Sequence, residues 1–320
     1  MIKTTHLRKK FGSFVAVEDI SLNIKSGETY GFLGPNGAGK TTTIMMILGI
    51  LRPTKGEVRI FGEKINEHPF KIKKRIGVVA EYQNYYDEMT AWEYLMFFAN
   101  LLEVEKAEKR VGSLMERLNL WEFRDVLIGG YSTGMQRKLG FVRALLHSPE
   151  VLILDEPVSG LDPFGIVQVR EMLKDEREAG TTVMISSHIL SEVERTADRV
   201  GIVVRGRMLV EDTMQNLRLL VQPHNEIELD LYQPDEDLIR DILRLPFVTN
   251  IKRQNEQFII SIMSDKDYRA DLGRFLTNRG AVVQGMKVIE TSLEDAFITI
   301  TEKHIRDWTT SESHQEKRDD

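Results

Sequence analysis

The sequence predicts an α/β protein with a mixed sheet, an antiparallel β part and a helical part, followed by a small α+β domain. Three observations carry this. Apolar runs without alternation recur ahead of helical patterns, as parallel strands covered on both faces require. A glycine-rich stretch, Gly34 to Thr41, stands between such a run and a helical pattern. The texture then changes near Gln222-Pro223-His224-Asn225, which has the composition of a linker. The expected domains are residues 1–222, with helical residues at about 85–148, then 223–305, then a polar tail at 306–320 without fixed structure.

The elements follow in order. Val17 to Ile24 and Val58 to Phe61 read as antiparallel strands, as does Arg199 to Arg205. Thr29-Tyr30-Gly31-Phe32-Leu33, Val151-Leu152-Ile153-Leu154 and Thr182-Val183-Met184-Ile185-Ser186 read as buried strands. Tyr85 to His147 reads as helix throughout, with a capping box at Thr90-Ala91-Trp92-Glu93 and an apolar face at Leu95, Phe98, Leu101 and Leu102. Beyond the linker, Ile227, Leu229 and Leu231 alternate as in a half-buried strand. Leu238, Ile242 and Leu245 space as a helix, and Phe258, Ile260 and Ile262 alternate again. Tyr268, Leu272, Phe275 and Leu276 form a second helical face, and Val282 to Ile289 a last strand. The order is β-α-β-β-α-β. A short helix opening at Ser292-Leu293-Glu294-Asp295 ends the pattern.

Composition narrows the function. The 320 residues hold 49 acidic and 43 basic side chains, a net charge of −6, which argues against nucleic-acid binding driven by overall charge. With 42% hydrophobic and 29% charged residues the chain reads as soluble and globular. No apolar run approaches the roughly 18–20 residues of a membrane span. The longest, Ile44 to Leu51, contains Gly49. The start, Met1 to His6, has no apolar signal core, so a cytosolic address is the expectation. There is no cysteine, which excludes disulfides, zinc thiolates, iron–sulfur clusters and thiol nucleophiles.

Chemistry concentrates in two places. Gly34-Pro35-Asn36-Gly37-Ala38-Gly39-Lys40-Thr41 matches a phosphate-binding loop, set after the strand ending at Leu33 and before a helix opening at Thr42. Glycines let successive N–H groups converge on one anion, and the helix N-terminus adds a favourable dipole. Lys40 puts a point charge on the β- and γ-phosphates, and Thr41 offers a hydroxyl to Mg²⁺. The candidate nucleotide contacts here are residues Gly34 through Thr42. The second place is Asp155-Glu156, two carboxylates at the C-terminal edge of a buried strand, where ligands bind in open α/β sheets. Asp155 is expected to hold Mg²⁺ with Thr41, and Glu156 to orient or deprotonate a water.

Three further segments complete an ordered set: Tyr131-Ser132-Thr133-Gly134-Met135-Gln136-Arg137-Lys138, Ser159-Gly160-Leu161-Asp162-Pro163 and Ser186-Ser187-His188. In this order and spacing, residues 1 to about 220 resemble the nucleotide-binding subunit of an ABC transporter, a P-loop NTPase. The signature segment is normally of the Leu-Ser-Gly-Gly-Gln type; this chain departs from it at three positions and keeps Ser132 and Gly134. The resemblance implies that Ser132 and Gly134 contact the γ-phosphate of ATP held by a second subunit. It implies that Asp162 lies in a loop facing across that dimer and that His188 bonds the γ-phosphate. An acceptor-loop residue, usually Gln, is expected near the metal; Glu81 matches that place, with Gln83 two residues on. Phe11, before Gly12, matches an aromatic stacked on adenine. Ser132 also fits a helix cap, a role compatible with anion binding.

The resemblance implies an ATPase working as a nucleotide-sandwich dimer, a homodimer in the simplest case. It further implies peripheral attachment to the inner face of the cell membrane through a separate integral membrane permease, with export as the direction. Aromatic residues Tyr82, Tyr85, Tyr86 and Trp92, with Met89, cluster after the acceptor loop and suggest a groove for a permease helix. The competing expectation is a soluble ABC-type ATPase acting on ribosomes or nucleic acid. Against it, about 115 residues separate Lys40 from Asp155 without sustained heptads, and the chain holds one cassette.

Overall fold

Three strands read as buried from their composition lie side by side in one large sheet. The computed structural model describes residues 1–221, 225–254, 257–262 and 267–289. It divides into two units, Met1–Met214 and Gln215–Asp320. In the first, β1 (Ile2–Phe11) and β2 (Phe14–Ile24) pair antiparallel. β3 (Thr29–Leu33) leads through the glycine-rich loop to α1 (Lys40–Ile47). β4 (Lys55–Ile60) and β5 (Glu63–Lys64) extend the β1 edge, and α2 (Pro69–Lys73) precedes β6 (Ile76–Val79). The helical part holds α3 (Ala91–Leu101), α4 (Ala107–Arg117) and α5 (Thr133–Leu145). There follow β7 (Val151–Asp155), α6 (Pro163–Glu178), β8 (Thr182–Ser187), α7 (Leu190–Val193), β9 (Arg199–Val204) and β10 (Arg207–Thr213). α8 (Met214–Val221) starts at the division between the units.

The sheet order is β5-β4-β1-β2-β10-β9-β3-β8-β7-β6. From β9 to β6 every neighbouring pair is parallel. All residues of β3, β7 and β8 are buried, which is why their sequences are apolar without alternation. Consecutive parallel strands place their C-terminal ends along one edge, so the loop after Leu33, Asp155-Glu156 and the segment after Ser187 meet there.

Two expectations are corrected. The Arg199–Arg205 segment is not purely antiparallel: β9 is parallel to β3 and antiparallel only to β10. Val200 to Val204 are all buried, and that unbroken apolar run is the mark of a strand inside a parallel sheet. Tyr85 to His147 is not helix throughout: it is three α-helices with two short 3-10 turns, Trp121–Phe123 and Ile128–Gly130, and non-helical connections. Glu103, Lys106 and Asn119 take φ of 58°, 52° and 56°, left-handed values that end or break helical runs. The capping box is present: Thr90 Oγ1 accepts from Glu93 N at 3.2 Å, and Glu93 Oε2 accepts from Thr90 N at 2.8 Å.

The second unit has β11 (Asn225–Leu231), α9 (Glu236–Leu243), β12 (Val248–Gln254), β13 (Gln257–Ile262), α10 (Arg269–Asn278) and β14 (Val283–Ile289). The four strands order β12-β13-β11-β14, antiparallel throughout. Ile227, Leu229 and Leu231 meet Phe258, Ile260 and Ile262 with Ile242, Leu272 and Leu276 in one core. Asp235 caps α9, accepting from Leu238 N at 2.7 Å. The expected helix at Ser292–Asp295 and the polar tail lie outside the described residues.

Leu272 is fully buried in that core. Leu272→Ala should lower the stability of the second unit by about 2–5 kcal/mol, from lost apolar burial plus an unfilled cavity. A fall in its urea midpoint at unchanged slope is the expected result.

Candidate nucleotide site

The loop between β3 and α1 is folded by its neighbours. Gly34 N donates to Ser187 O at 3.3 Å, Ala38 N to Pro35 O at 3.1 Å, and Gly206 N to Ala38 O at 2.9 Å. Gly39 sits at φ +98°, and a Cβ there would lie 2.6 Å from Ala16 O. A Cβ on Gly34 would lie 2.3 Å from Val203 O. Both positions exclude any side chain, the first by torsion and contact, the second by contact alone. The first N–H groups of α1 have no acceptor within their helix and are available to an anion.

A cavity of about 420 Å³ opens here, lined by Asn36 to Thr42, Phe14, Ala16, Glu81, Tyr82 and Glu156. Gly34 and Pro35 are not in its lining. Lys40 Nζ donates to Gly34 O at 2.7 Å and lies 3.3 Å from Glu156 Oε1. The two side chains are 7% and 8% exposed, so the ion pair is screened little by water. Glu156 Oε2 is 2.9 Å from His188 Nδ1. A carboxylate only accepts, so Nδ1 carries the hydrogen and Nε2 is left to act elsewhere. Glu156 has φ 48°, an uncommon left-handed backbone for a non-glycine, and its N–H is held by Ser186 O at 3.2 Å.

Asp155 ends β7, buried, opposite Ser186 of β8. The Ser186 hydroxyl donates to Asp155 Oδ1. The donor set suits magnesium, which takes one or two carboxylates or hydroxyls and completes its shell with phosphate oxygens and water. Among the described residues, no group of three or more His, Asp or Glu forms a metal cage. Glu81 and Gln83 part company. Glu81 lines the cavity, while Gln83 Oε1 accepts from Arg143 Nη2 at 2.9 Å.

Ser132, Gly134 and Asp162 gather elsewhere. They line a cavity of about 390 Å³ with Thr133, Met135, Lys138, Gly160 and Leu161. It shares no lining residue with the Lys40 cavity. Ser132 Oγ caps α5, accepting from Met135 N at 3.3 Å, and Asp162 Oδ1 caps α6, accepting from Gly165 N at 2.7 Å. The departures in this segment are accommodated by packing. Tyr131 is buried, its hydroxyl donating to Phe123 O at 2.9 Å, and a Cβ on Gly160 would meet Thr133 Cγ2 at 3.1 Å.

Phe11 is not in the cavity lining. Its ring lies 5.0 Å from Lys9 Nζ, and Phe14, across the Gly12 turn, faces the cavity instead. Phe14 and Ala16, and Tyr82 as a cavity residue, escape the sequence reading because only the hairpin and the β6 exit carry them to the loop. For Phe14 and Tyr82 the one sequence signal is an aromatic close to Phe11 or Glu81.

A family model described as ABC transporter matches residues 17–159. The bacitracin transport ATP-binding protein of Bacillus licheniformis is 37% identical over 301 residues, covering 94% of this chain and 97% of its own length. The daunorubicin/doxorubicin resistance ATP-binding protein of Streptomyces peucetius is 31% identical, covering 99% and 97%. Among solved structures, an ATP-binding subunit of an ABC transporter matches with TM-score 0.65 and 29% identity, over 69% of this chain and 92% of its own. A dimeric post-hydrolysis state of an ATP-binding cassette, bound to ADP and Pi, matches with TM-score 0.62 and 26% identity, over 67% and 99%. With a phosphate loop facing paired carboxylates, and likeness running almost end to end, this chain belongs to the ABC transporter family as one of its ATP-binding, ATP-hydrolysing subunits.

Proposed function

We propose that the chain binds Mg²⁺-ATP in the Lys40 cavity and closes the site with the Ser132 face of a second copy, driving export of an antibiotic- or drug-class compound through a separate permease. The observation that carries this reading is the split of the expected ATP contacts into two cavities with no common wall. One chain holds two half-sites, and two chains related by a two-fold axis make two whole ones.

The roles follow from charge and reach. Lys40 exchanges Glu156 and its own loop carbonyl for the β- and γ-phosphates, and the N–H groups of Asn36 to Thr42 surround the same oxygens. Thr41 and Asp155 would hold magnesium, which would supply positive charge against the developing phosphate charge. Glu81 stands at the same wall as an outer partner. Glu156, released from Lys40, orients the attacking water and accepts its proton. His188, fixed through Nδ1, offers Nε2 to the γ-phosphate. Phe14, in place of Phe11, supplies an aromatic face toward the base. Ser132 and Gly134 of the second copy present a helix N-terminus to the γ-phosphate, and Asp162 shapes the loop beside them.

Among the described residues no helix is long and apolar enough to cross a membrane, which supports a separate permease and a peripheral place at the inner membrane face. The substrate class follows the relatives named for bacitracin transport and for daunorubicin and linearmycin resistance. Tyr82 and Tyr86 are 86% and 58% exposed; Tyr82 borders the Lys40 cavity, and Tyr86 forms the permease contact. Tyr85 does not join it, since its hydroxyl donates to Gln136 O.

Lys40→Ala should weaken ATP binding and lower turnover by at least about 10²-fold, as loss of a charge aimed at the transferred group does; parental binding and turnover in this variant would remove the site. Glu156→Gln should cut kcat by about 10²–10⁴-fold. It should also convert the protein to a stable ATP-bound dimer by size-exclusion chromatography, and unchanged turnover would remove Glu156 from the reaction. Tyr86→Glu should abolish transport in membrane vesicles while ATPase of the isolated chain stays near parental; undiminished transport would place the permease contact elsewhere.

A further inference from the structure

The turn between β9 and β10 reaches both the glycine-rich loop and β2. Arg205 and Gly206 take φ of 49° and 76°, the left-handed pair of a tight hairpin turn. Gly206 N donates to Ala38 O at 2.9 Å, in the loop. Gly206 O accepts from Glu18 N at 2.9 Å and from Asp19 N at 3.1 Å, in β2. Beside this turn β10 meets β2, through the parallel pairing of Arg207 with Asp19. A Cβ on Gly206 would lie 2.8 Å from Glu18 N, 2.8 Å from Val17 Cα and 2.9 Å from Ala16 O. All three are backbone atoms, so a side chain here displaces the turn from β2 and from the loop together.

The consequence for the loop follows from the planar peptide. The peptide bonds are trans, and across a trans peptide the carbonyl oxygen and the next N–H point in opposite directions. Gly206 draws the Ala38 carbonyl toward the hairpin, so the Gly39 N–H is turned away from it. Gly39 lines the Lys40 cavity. A peptide plane next to a glycine rotates at little steric cost, so this one needs a hold from outside the loop. The same residue fixes β2 just beyond Ala16, which with Phe14 forms another part of the cavity wall.

We propose that Gly206 is a positioning residue for nucleotide binding: its N–H, on the Ala38 carbonyl, aims the Gly39 N–H at the phosphates, and its carbonyl keeps the β2 wall in register with that loop. This rests on the reading of the Lys40 cavity as the nucleotide site. Di- and triphosphate depend on the contact alike. An interaction made equally with bound substrate and transition state sets affinity rather than turnover.

The test uses the full chain, parent and Gly206→Ala, titrated calorimetrically with ADP and assayed for ATP hydrolysis. Gly206→Ala should raise the Kd for ADP and the KM for ATP about ten- to a hundredfold, the worth of one hydrogen bond to a charged group. Binding stoichiometry should stay parental and kcat within about threefold. A role in folding alone would lower stoichiometry and melting temperature at parental Kd, and that result overturns the proposal, as do parental values throughout. If Gly206→Ala does not fold, hydrogen exchange of the parent's Gly206 amide decides. It should be slow without nucleotide and at least about tenfold slower with saturating ADP; exchange at the rate of an open turn, or unaltered by ADP, overturns the proposal. Parental Kd in Gly206→Ala beside weakened binding in Lys40→Ala sinks this proposal alone, whereas parental binding in both removes the nucleotide site and the proposal with it.

Discussion

The buried ion pair between Lys40 and Glu156 is the contact on which the rest of the site depends. Their side chains open α1 and follow β7, far apart in sequence, and meet because β3 and β7 flank β8 in a parallel sheet. Two charges withdrawn from water carry a desolvation penalty of several kcal/mol each. Here the penalty is offset on both sides, by the Gly34 carbonyl on Lys40 and by His188 on Glu156. In the proposed function this pair is the one that phosphate would replace, since a phosphate offers Lys40 a charge-assisted partner.

β8 is the strand that makes the pair possible. Ser186 donates its hydroxyl to Asp155, and its carbonyl accepts from Glu156 N. Ser187 O accepts from Gly34 N, and its hydroxyl meets Glu192 Oε2 at 3.0 Å. Two adjacent serines thus fasten both halves of the site, and the turn carrying His188 hangs from the second, through Ile189 N donating to Ser187 Oγ at 3.0 Å. Small hydroxyl side chains suit a fully buried strand end where polar groups must be satisfied without adding bulk.

The opposite face is built from helix caps. Ser132 and Asp162 each cap a helix and border the same cavity. A cap orients the first N–H groups of its helix, so the residues that stabilise α5 and α6 also prepare a surface for an anion. On the proposed reading the arrangement ties stability to function: the same local choice that starts a helix would set where a second chain's nucleotide rests.

Much of this was legible in the residues alone. Glycines, one lysine and a hydroxyl at fixed spacing define a phosphate loop because only that order lets the backbone surround an anion. The unbroken apolar runs mark parallel strands because both faces are covered. The alternation of Ile227-Leu229-Leu231 and Phe258-Ile260-Ile262 marks a one-sided sheet because only one face is covered. The breaks at Glu103, Lys106 and Asn119 were not legible, since left-handed turns at such residues depend on how the flanking helices pack. Nor was the choice of Phe14 over Phe11, of Glu81 over Gln83, or the hold of Gly206 on the Ala38 carbonyl. Local spacing determines which groups can do the chemistry. Only the register of distant strands and the packing of the β9–β10 turn against the phosphate loop decide which of them meet, because those contacts join residues whose separation along the chain carries no information about distance in space.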